Sequence, residues 1–186
     1  DLIFRQARTH NDWTEKEVSE DLLKLLYDLV ISGPTSGNCQ PSRFIFCRSK
    51  ASKARLISCV SPGNVSKIEA APITAIIGYD LSFWEHLGRL FPHKDQASKF
   101  RENPSAAETG AFRNSSLQGA YFIIAARAIG LDTGALSGFD NEKVDKEFFS
   151  GTTVKSNFLC NIGYGKVDAL FAKLPRFEFK EVCSII

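Results

Sequence analysis

The chain has 186 residues, 44% of them hydrophobic and 24% charged, with a formal net charge of +2. That balance suits one domain able to bury a sizeable core, and the lack of basic runs interleaved with aromatics excludes an extended nucleic-acid surface. Five cysteines, odd in number and without a Cys-x-x-Cys pair, fit neither a disulfide framework nor a zinc site, so reduced thiols in a cytoplasmic protein are expected, with no metal. The apolar stretches are shorter than a membrane span and no signal-peptide pattern opens the chain, so no membrane partner is expected. Met is absent even at position 1, which leads us to expect a trimmed N-terminus.

In chain order, Val18, Leu22, Leu25, Leu26 and Leu29 recur at helical spacing, Ser19 is placed to cap, and Gly33-Pro34 stops the run. A loop follows. Arg43 to Arg48 is rich in β-formers and predicts a strand, and Lys50 to Val60 returns to helical spacing. Ser61-Pro62-Gly63-Asn64 reads as a polar turn ahead of a buried strand over Ile73 to Tyr79. From Leu81 to Asn103, Trp84, Leu87, Phe91 and Phe100 are mixed with charges and Pro92, which predicts short mobile helices. Ala106 to Ile129 is a long apolar helix ending on Gly130, apolar on so many faces that it must be central or lie in an oligomer interface. Asp140 caps a short helix through Phe149, and Asn157 to Tyr164 is a further strand. Phe177 and Phe179 in the tail make sense only if that segment docks somewhere. Strands alternating with helices predict a sheet covered on both faces.

The usual local signatures of chemistry are missing. No G-x-G-x-x-G, P-loop, G-x-S-x-G or H-E-x-x-H occurs, so neither a standing dinucleotide domain nor a protein nucleophile has a candidate. Three polar segments remain: Arg8-Thr9-His10-Asn11-Asp12-Trp13, Pro34-Thr35-Ser36-Gly37-Asn38-Cys39-Gln40-Pro41, and Asn64-Val65-Ser66-Lys67. In that order, with Ala125 to Leu131, Gly134 to Asp140 and Leu174-Pro175-Arg176 behind them, they resemble the nitroreductase family over essentially the whole chain. Within it, THNDW, PTSGNCQP, SPGNV, FRNSSLQGAY and SNFLCNIGYG look closest to the malonic semialdehyde reductase group.

The resemblance implies an α+β, three-layer α-β-α fold, with a central mixed, mostly antiparallel sheet flanked by helices in an intertwined homodimer. It implies one domain over 1–186, with 81–105 a candidate lid and 174–186 a C-terminal extension that docks on the partner subunit. It implies FMN as cofactor, NAD(P)H as cosubstrate and a small-molecule acceptor, with flavin N5 rather than a side chain carrying the hydride. Arg8, Thr9, His10, Asn11 and Arg176 then belong to the phosphate end, although this chain has Ala7 and Asn11 where many relatives are basic. Asn64 meets the pyrimidine edge of the flavin, and Lys67, one helical turn on, brings positive charge there. Ala135, Leu136, Ser137 and Gly138 pass the ring. Thr35, Ser36 and Asn38 come from the second subunit. Trp84, Phe112 and Arg113 are candidates for the acceptor side, Arg113 as partner of a carboxylate.

Read alone, most of these residues have ordinary roles: a surface cation, a turn asparagine, a solvated lysine, a helix-ending loop. The activity implied is hydride transfer from NAD(P)H to a small acceptor, such as malonic semialdehyde going to 3-hydroxypropionate. The alternatives are a broad nitroaromatic or quinone reductase, an FMN-binding protein with incidental redox activity, and a cofactor-free interaction domain.

Overall fold

The computed structural model describes residues 1–186. Four strands form its centre: β1 (Ser42–Cys47), β2 (Ile73–Asp80), β3 (Asp132–Leu136) and β4 (Val154–Gly163), in the order β1-β2-β4-β3 with every neighbouring pair antiparallel. A parallel bridge between Thr9 and Thr133 continues the sheet beyond β3, so the sheet is mixed and mostly antiparallel, as the resemblance implied.

Successive side chains of a strand point to opposite faces, and β2 is buried on both. Ile73, Ala75 and Ile77 pack with Leu26, Val30, Phe122, Ala125 and Ala126, which come from α1 (Glu20–Val30) and α6 (Pro104–Ala128). Ile76 points the other way, into Leu56, Ile68, Val144 and Leu159 beneath α2 (Lys50–Ile57), α3 (Pro62–Ala70) and α7 (Asn141–Phe148). This produces the three layers. Local signals fix the ends: the Ser19 hydroxyl accepts the Leu22 amide at 3.2 Å, and the Asp140 carboxylate accepts the Lys143 amide at 3.1 Å. Gly130 ends α6 with φ +84°, a left-handed conformation natural to glycine.

The long helix α6 has two kinds of face. Asn114, Gln118, Phe122 and Ala125 lie inward, whereas Phe112, Leu117 and Tyr121 stay 49%, 46% and 38% exposed. Leu25, Tyr27 and Leu29 of α1 are exposed as well. Residues 166–186, including the short α8 (Phe179–Val182), lie exposed along the surface with Phe171, Leu174, Phe177 and Phe179 uncovered.

Two expectations change. Ser61-Pro62-Gly63-Asn64 is not a free turn: Pro62 opens α3 at the first helical position, where its missing N–H costs nothing, and Ser61 is the extended residue before it. The 81–105 region is built of short helices, a 3₁₀ turn (Phe83–His86), α4 (Leu87–Leu90) and α5 (Ala97–Glu102), as predicted. It nevertheless has its own small core: Phe83 and Leu87 are buried against Ala107 and Ala111 of α6, and the Phe83 and Phe100 rings meet edge to face at 4.9 Å. A segment tied down by apolar burial is an anchored element, not a loosely held one.

Candidate functional site

A cavity of about 890 Å³ opens where the N-terminal segment, the end of α6 and the tail converge. Arg8, Thr9 and Asn11 line it from the first, Arg127 from the second, and Lys173 and Arg176 from the third. Four cations with no carboxylate among the lining residues make a site for a dianion such as a phosphate monoester, which wants several cationic and hydroxyl donors at once. Arg8 and Lys173 cross-link the two chain ends through the carbonyls of Phe171 and Arg5. The Arg127 Nε is buried without a protein acceptor.

His10 does not join this cavity. Its backbone N–H donates to Thr133, so its side chain turns inward, where it is 4% exposed and its Nε2 lies 3.4 Å from an Asp132 oxygen. Gly165 must be a glycine here, because a Cβ would fall 1.9 Å from His10 Nδ1. His10 therefore positions the segment rather than lining its cavity.

The second cluster lies at the C-terminal end of β3. Asn64 Nδ2 donates to the Gly138 carbonyl at 2.9 Å, and Lys67 Nζ donates to Asn64 Oδ1 at 3.2 Å, so amide and ammonium are held as a pair one helical turn apart on α3. The same Gly138 carbonyl accepts the Ser61 amide, and buried Asn161 donates from β4 to the Lys67 carbonyl at 3.0 Å. A Cβ at Gly138 would stand 2.6 Å from Asn64 Nδ2, so the close approach needs glycine. Ala135 and Ser137 are exposed beside this cluster, whereas the Leu136 side chain points into the core, leaving only its backbone for any ligand. Because Thr9 bridges Thr133, the cationic cavity and Gly138 are joined by one run of chain and lie at most about 17 Å apart along it.

The third cluster is the loop after α1. Gly37, Asn38 and Gln40 have φ of +55°, +50° and +37°, an uncommon left-handed run that only surrounding contacts can hold. Those contacts come from α6: Asn114 Oδ1 accepts the Ser36 amide at 2.8 Å, and Gln118 Oε1 accepts the Ser42 amide at 3.0 Å. The Thr35 hydroxyl accepts the Gln40 amide, and Asn38 Nδ2 donates to the Leu90 carbonyl at 2.9 Å, which latches the loop to the 81–105 region. Ser36, Phe100 and Arg113 share a cavity of about 450 Å³ with Lys99. Phe112 is exposed beside it with its edge on Tyr79, while Trp84 packs into the small third core under the Arg101 guanidinium.

The structure thus gathers Arg8, Thr9, Asn11 and Arg176, and separately Asn64, Lys67 and Gly138, but not the loop. Asn114, where the loop is pinned, and Arg127, at the cationic cavity, are separated on α6 by about 20 Å of helix. Sequence reading missed Arg127, Lys173, Asn114 and Gln118. For Arg127 a signal existed, since it is the one charge in the apolar run from Tyr121 to Ile129.

The fold and the site together are a four-stranded sheet in the order β1-β2-β4-β3 between two helical layers, with a cationic cavity and an amide-ammonium pair. The structure superimposes on a nitroreductase of Exiguobacterium sibiricum, provisionally so named and solved in complex with FMN, with a TM-score of 0.88 at 21% identity, covering 100% of this chain and 97% of that one. A Bacillus subtilis protein of the same provisional description gives 0.85 at 17% identity, covering 99% and 97%. A family model described as the nitroreductase family matches residues 5–165. A Burkholderia lata protein carrying the provisional name NADH dehydrogenase/NAD(P)H nitroreductase is 55% identical over 185 residues, 100% of this chain and 95% of the relative. The chain belongs to the nitroreductase family.

Proposed function

We propose that this protein is an FMN-dependent oxidoreductase that passes a hydride from NAD(P)H to a small acceptor. The observation that carries the reading is the cavity with four cations and no carboxylate, joined by β3 to the Asn64 and Lys67 pair. The NAD(P)H named for the Burkholderia lata relative supports the same choice of reductant. A phosphate fits the first cluster and a flat, hydrogen-bonding ring edge fits the second, where the glycine at 138 keeps the strand end flush against Asn64.

Bound FMN would supply the hydride chemistry, and the chain's own residues bind and orient. Arg8, Thr9, Asn11 and Arg176 would hold the phosphate. Asn64 offers both a donor and an acceptor to the pyrimidine edge, and Lys67 places positive charge there, favouring negative charge on the ring system. The backbone of residues 135–138 would run alongside the ring. Thr35, Ser36 and Asn38 would come from a second copy, because the loop stands about 20 Å along α6 from the cavity of its own chain. Exposed Leu25, Leu29, Leu117 and Tyr121 supply an apolar face for that copy, and the uncovered tail from Leu174 onward docks on it. The 81–105 region, anchored on α6 through Phe83 and Leu87 and latched to the loop through Asn38, would cover the acceptor side as a fixed lid.

For the acceptor, Arg113 and Lys99 beside Ser36 favour a carboxylate, which agrees with malonic semialdehyde reduced to 3-hydroxypropionate. The aromatic walls Phe100 and Phe112 favour a second reading, a broad nitroaromatic or quinone reductase. Specificity constants for malonic semialdehyde, a nitroaromatic and a quinone, measured on wild type and Arg113→Ala, decide between them. A loss confined to the acidic aldehyde supports the first reading, and equal values across the three support the second. A protein that, loaded with FMN, oxidises NAD(P)H with none of the three acceptors overturns both.

A further inference from the structure

Arg127 was not among the residues that sequence or resemblance assigned to the site, yet it lines the same cavity as Arg8, Thr9 and Arg176. The N-terminal segment brings one cation, Arg8, to this cavity, and its other lining residues Ala7, Thr9 and Asn11 carry no charge. Arg127 comes from a different element, the last turn of α6, whose backbone is fixed by burial of Ala125 and Ala126 in the core.

Its guanidinium is half-buried and burial pulls it below the ordinary arginine value. No carboxylate lies within ion-pair distance of it, although ten such pairs occur elsewhere in the molecule. Of its donors, only Nη2 reaches a protein acceptor, the Arg8 carbonyl at 3.5 Å, and Nε is buried with none. A partly desolvated cation with unused donors, which the Asp132 carboxylate offsets only from beyond ion-pair distance, is costly to hold unless an anion completes it. The cavity before it, lined by three further cations and no carboxylate, has room for such an anion.

We propose that Arg127 is a phosphate-binding residue for the flavin nucleotide, supplying from α6 a charge that the uncharged Ala7, Thr9 and Asn11 of the N-terminal segment do not provide. The proposal rests on the FMN reading above and extends it to a residue on a new element. Lys173 is a weaker candidate for that role, because its ammonium is engaged by the Arg5 carbonyl and its stem belongs to the exposed tail. The competing role for Arg127 is structural: a cation in the last turn of a helix interacts favourably with the helix dipole without any ligand.

Flavin binding separates these roles, because FMN and riboflavin differ only in the phosphate. Dissociation constants for both are measured by flavin fluorescence on wild type, Arg127→Gln, Arg127→Lys and Arg127→Ala. Arg127→Gln keeps a stem and a donor for the Arg8 carbonyl but removes the charge, which guards against simple misfolding. The expected result is a loss of about 10- to 100-fold in FMN affinity for Arg127→Gln and Arg127→Ala, less for Arg127→Lys, with riboflavin unchanged within about twofold. Inorganic phosphate should raise the melting temperature of flavin-free wild type and lose that effect in Arg127→Gln. Equal weakening of FMN and riboflavin, or FMN affinity unchanged in Arg127→Gln, overturns the assignment. Wild-type protein that binds FMN no better than riboflavin overturns the flavin-phosphate reading itself, and this assignment with it.

Discussion

Gly138→Ala tests the ring end of the site. The added Cβ would lie 2.6 Å from Asn64 Nδ2 and 3.4 Å from Ser61 Oγ, so the amide must retreat by nearly 1 Å from where ordinary contact allows it. Two hydrogen bonds meet at that amide, Asn64 to the Gly138 carbonyl at 2.9 Å and Lys67 to Asn64 Oδ1 at 3.2 Å. These bonds hold the amide in place, and once it is displaced its own donor and acceptor bonds to the ring edge, about 1–1.5 kcal/mol each, are lost, which weakens the flavin contact by about 2–3 kcal/mol. FMN and riboflavin should therefore both bind roughly 30- to 100-fold more weakly, since the ring is common to the two. Gly63 provides the control: it sits on the same helix with nothing within 4 Å of an added Cβ. Gly63→Ala should leave flavin binding alone and raise stability by about 0.4–1 kcal/mol through helix propensity and a less disordered unfolded chain. Flavin fluorescence and calorimetry on the two variants measure both quantities. Wild-type affinity in Gly138→Ala, or a loss confined to FMN, would refute the placement of the ring at Asn64.

Other outcomes follow from the same geometry. Asn114→Ala removes the acceptor of the Ser36 amide and should lower stability by about 1–3 kcal/mol while loosening bound flavin, and Asn114→Asp, which keeps that acceptor, should restore most of both in denaturation and fluorescence titrations. With no separate dinucleotide-binding unit, reductant and acceptor should take turns at one face, giving parallel double-reciprocal plots; intersecting lines would count against a shared site. Burial pushes the thiols of Cys39 and Cys47 up to about 11 and that of Cys160 up to about 12, from an ordinary 9.0. The folded state therefore holds protons that the unfolded chain has released, so stability is level below pH 9 and falls as pH rises through 9 to 11, by up to about 4 kcal/mol per unit with all three thiols engaged. Denaturation midpoints across that range measure the fall, and a thiol reagent at pH 8 should modify exposed Cys183 well before the buried four.

How far the chain disclosed itself depended on whether a signal was local. The Ser19 and Asp140 caps, the Gly130 stop and the β-branched run of Ile73–Tyr79 act within one turn or strand, and each predicted element forms there. Ser61 to Asn64 was misread because Pro and Gly mark turns in isolation, whereas Pro at the first position of a helix is equally favourable. The 81–105 segment was misread for a different reason: its charges are adjacent in sequence, but Phe83 and Phe100 find each other and Ala111 only in space. His10 likewise was grouped with Arg8 and Thr9, its chain neighbours, while its true partner Asp132 lies 122 residues away. The site residues found by resemblance came as motifs. Arg127 and Gln118 lie inside two of the matching stretches, Ala125 to Leu131 and FRNSSLQGAY, which implied no role for them, and their roles arise from where α6 crosses the cavity and the loop.

Helix α6 thus acts as a ruler that sets which parts of the site can share one chain. It holds the loop near Asn114 and Gln118 and lines the cationic cavity at Arg127, about 20 Å further on. The loop cannot bend back to that cavity, because both of its ends are tied to α6 and β1 through the Ser36 and Ser42 amides. If one flavin needs both parts, each site must combine the cavity of one chain with the loop of another, and a mixed dimer makes this measurable. Take one variant with a spoiled loop, Ser36→Trp, and one with a spoiled cavity, Arg8→Glu, each unable to retain FMN by itself. Co-folded in equal amounts, half of the dimers are mixed, and in each the intact cavity of the first variant meets the intact loop of the second. About a quarter of all sites should then recover FMN, by the two-fold symmetry of such a dimer. A site built from one chain predicts no recovery at any mixing ratio, so absence of bound flavin in isolated mixed dimers would remove the loop from the partner's site and leave α6 without this organising role.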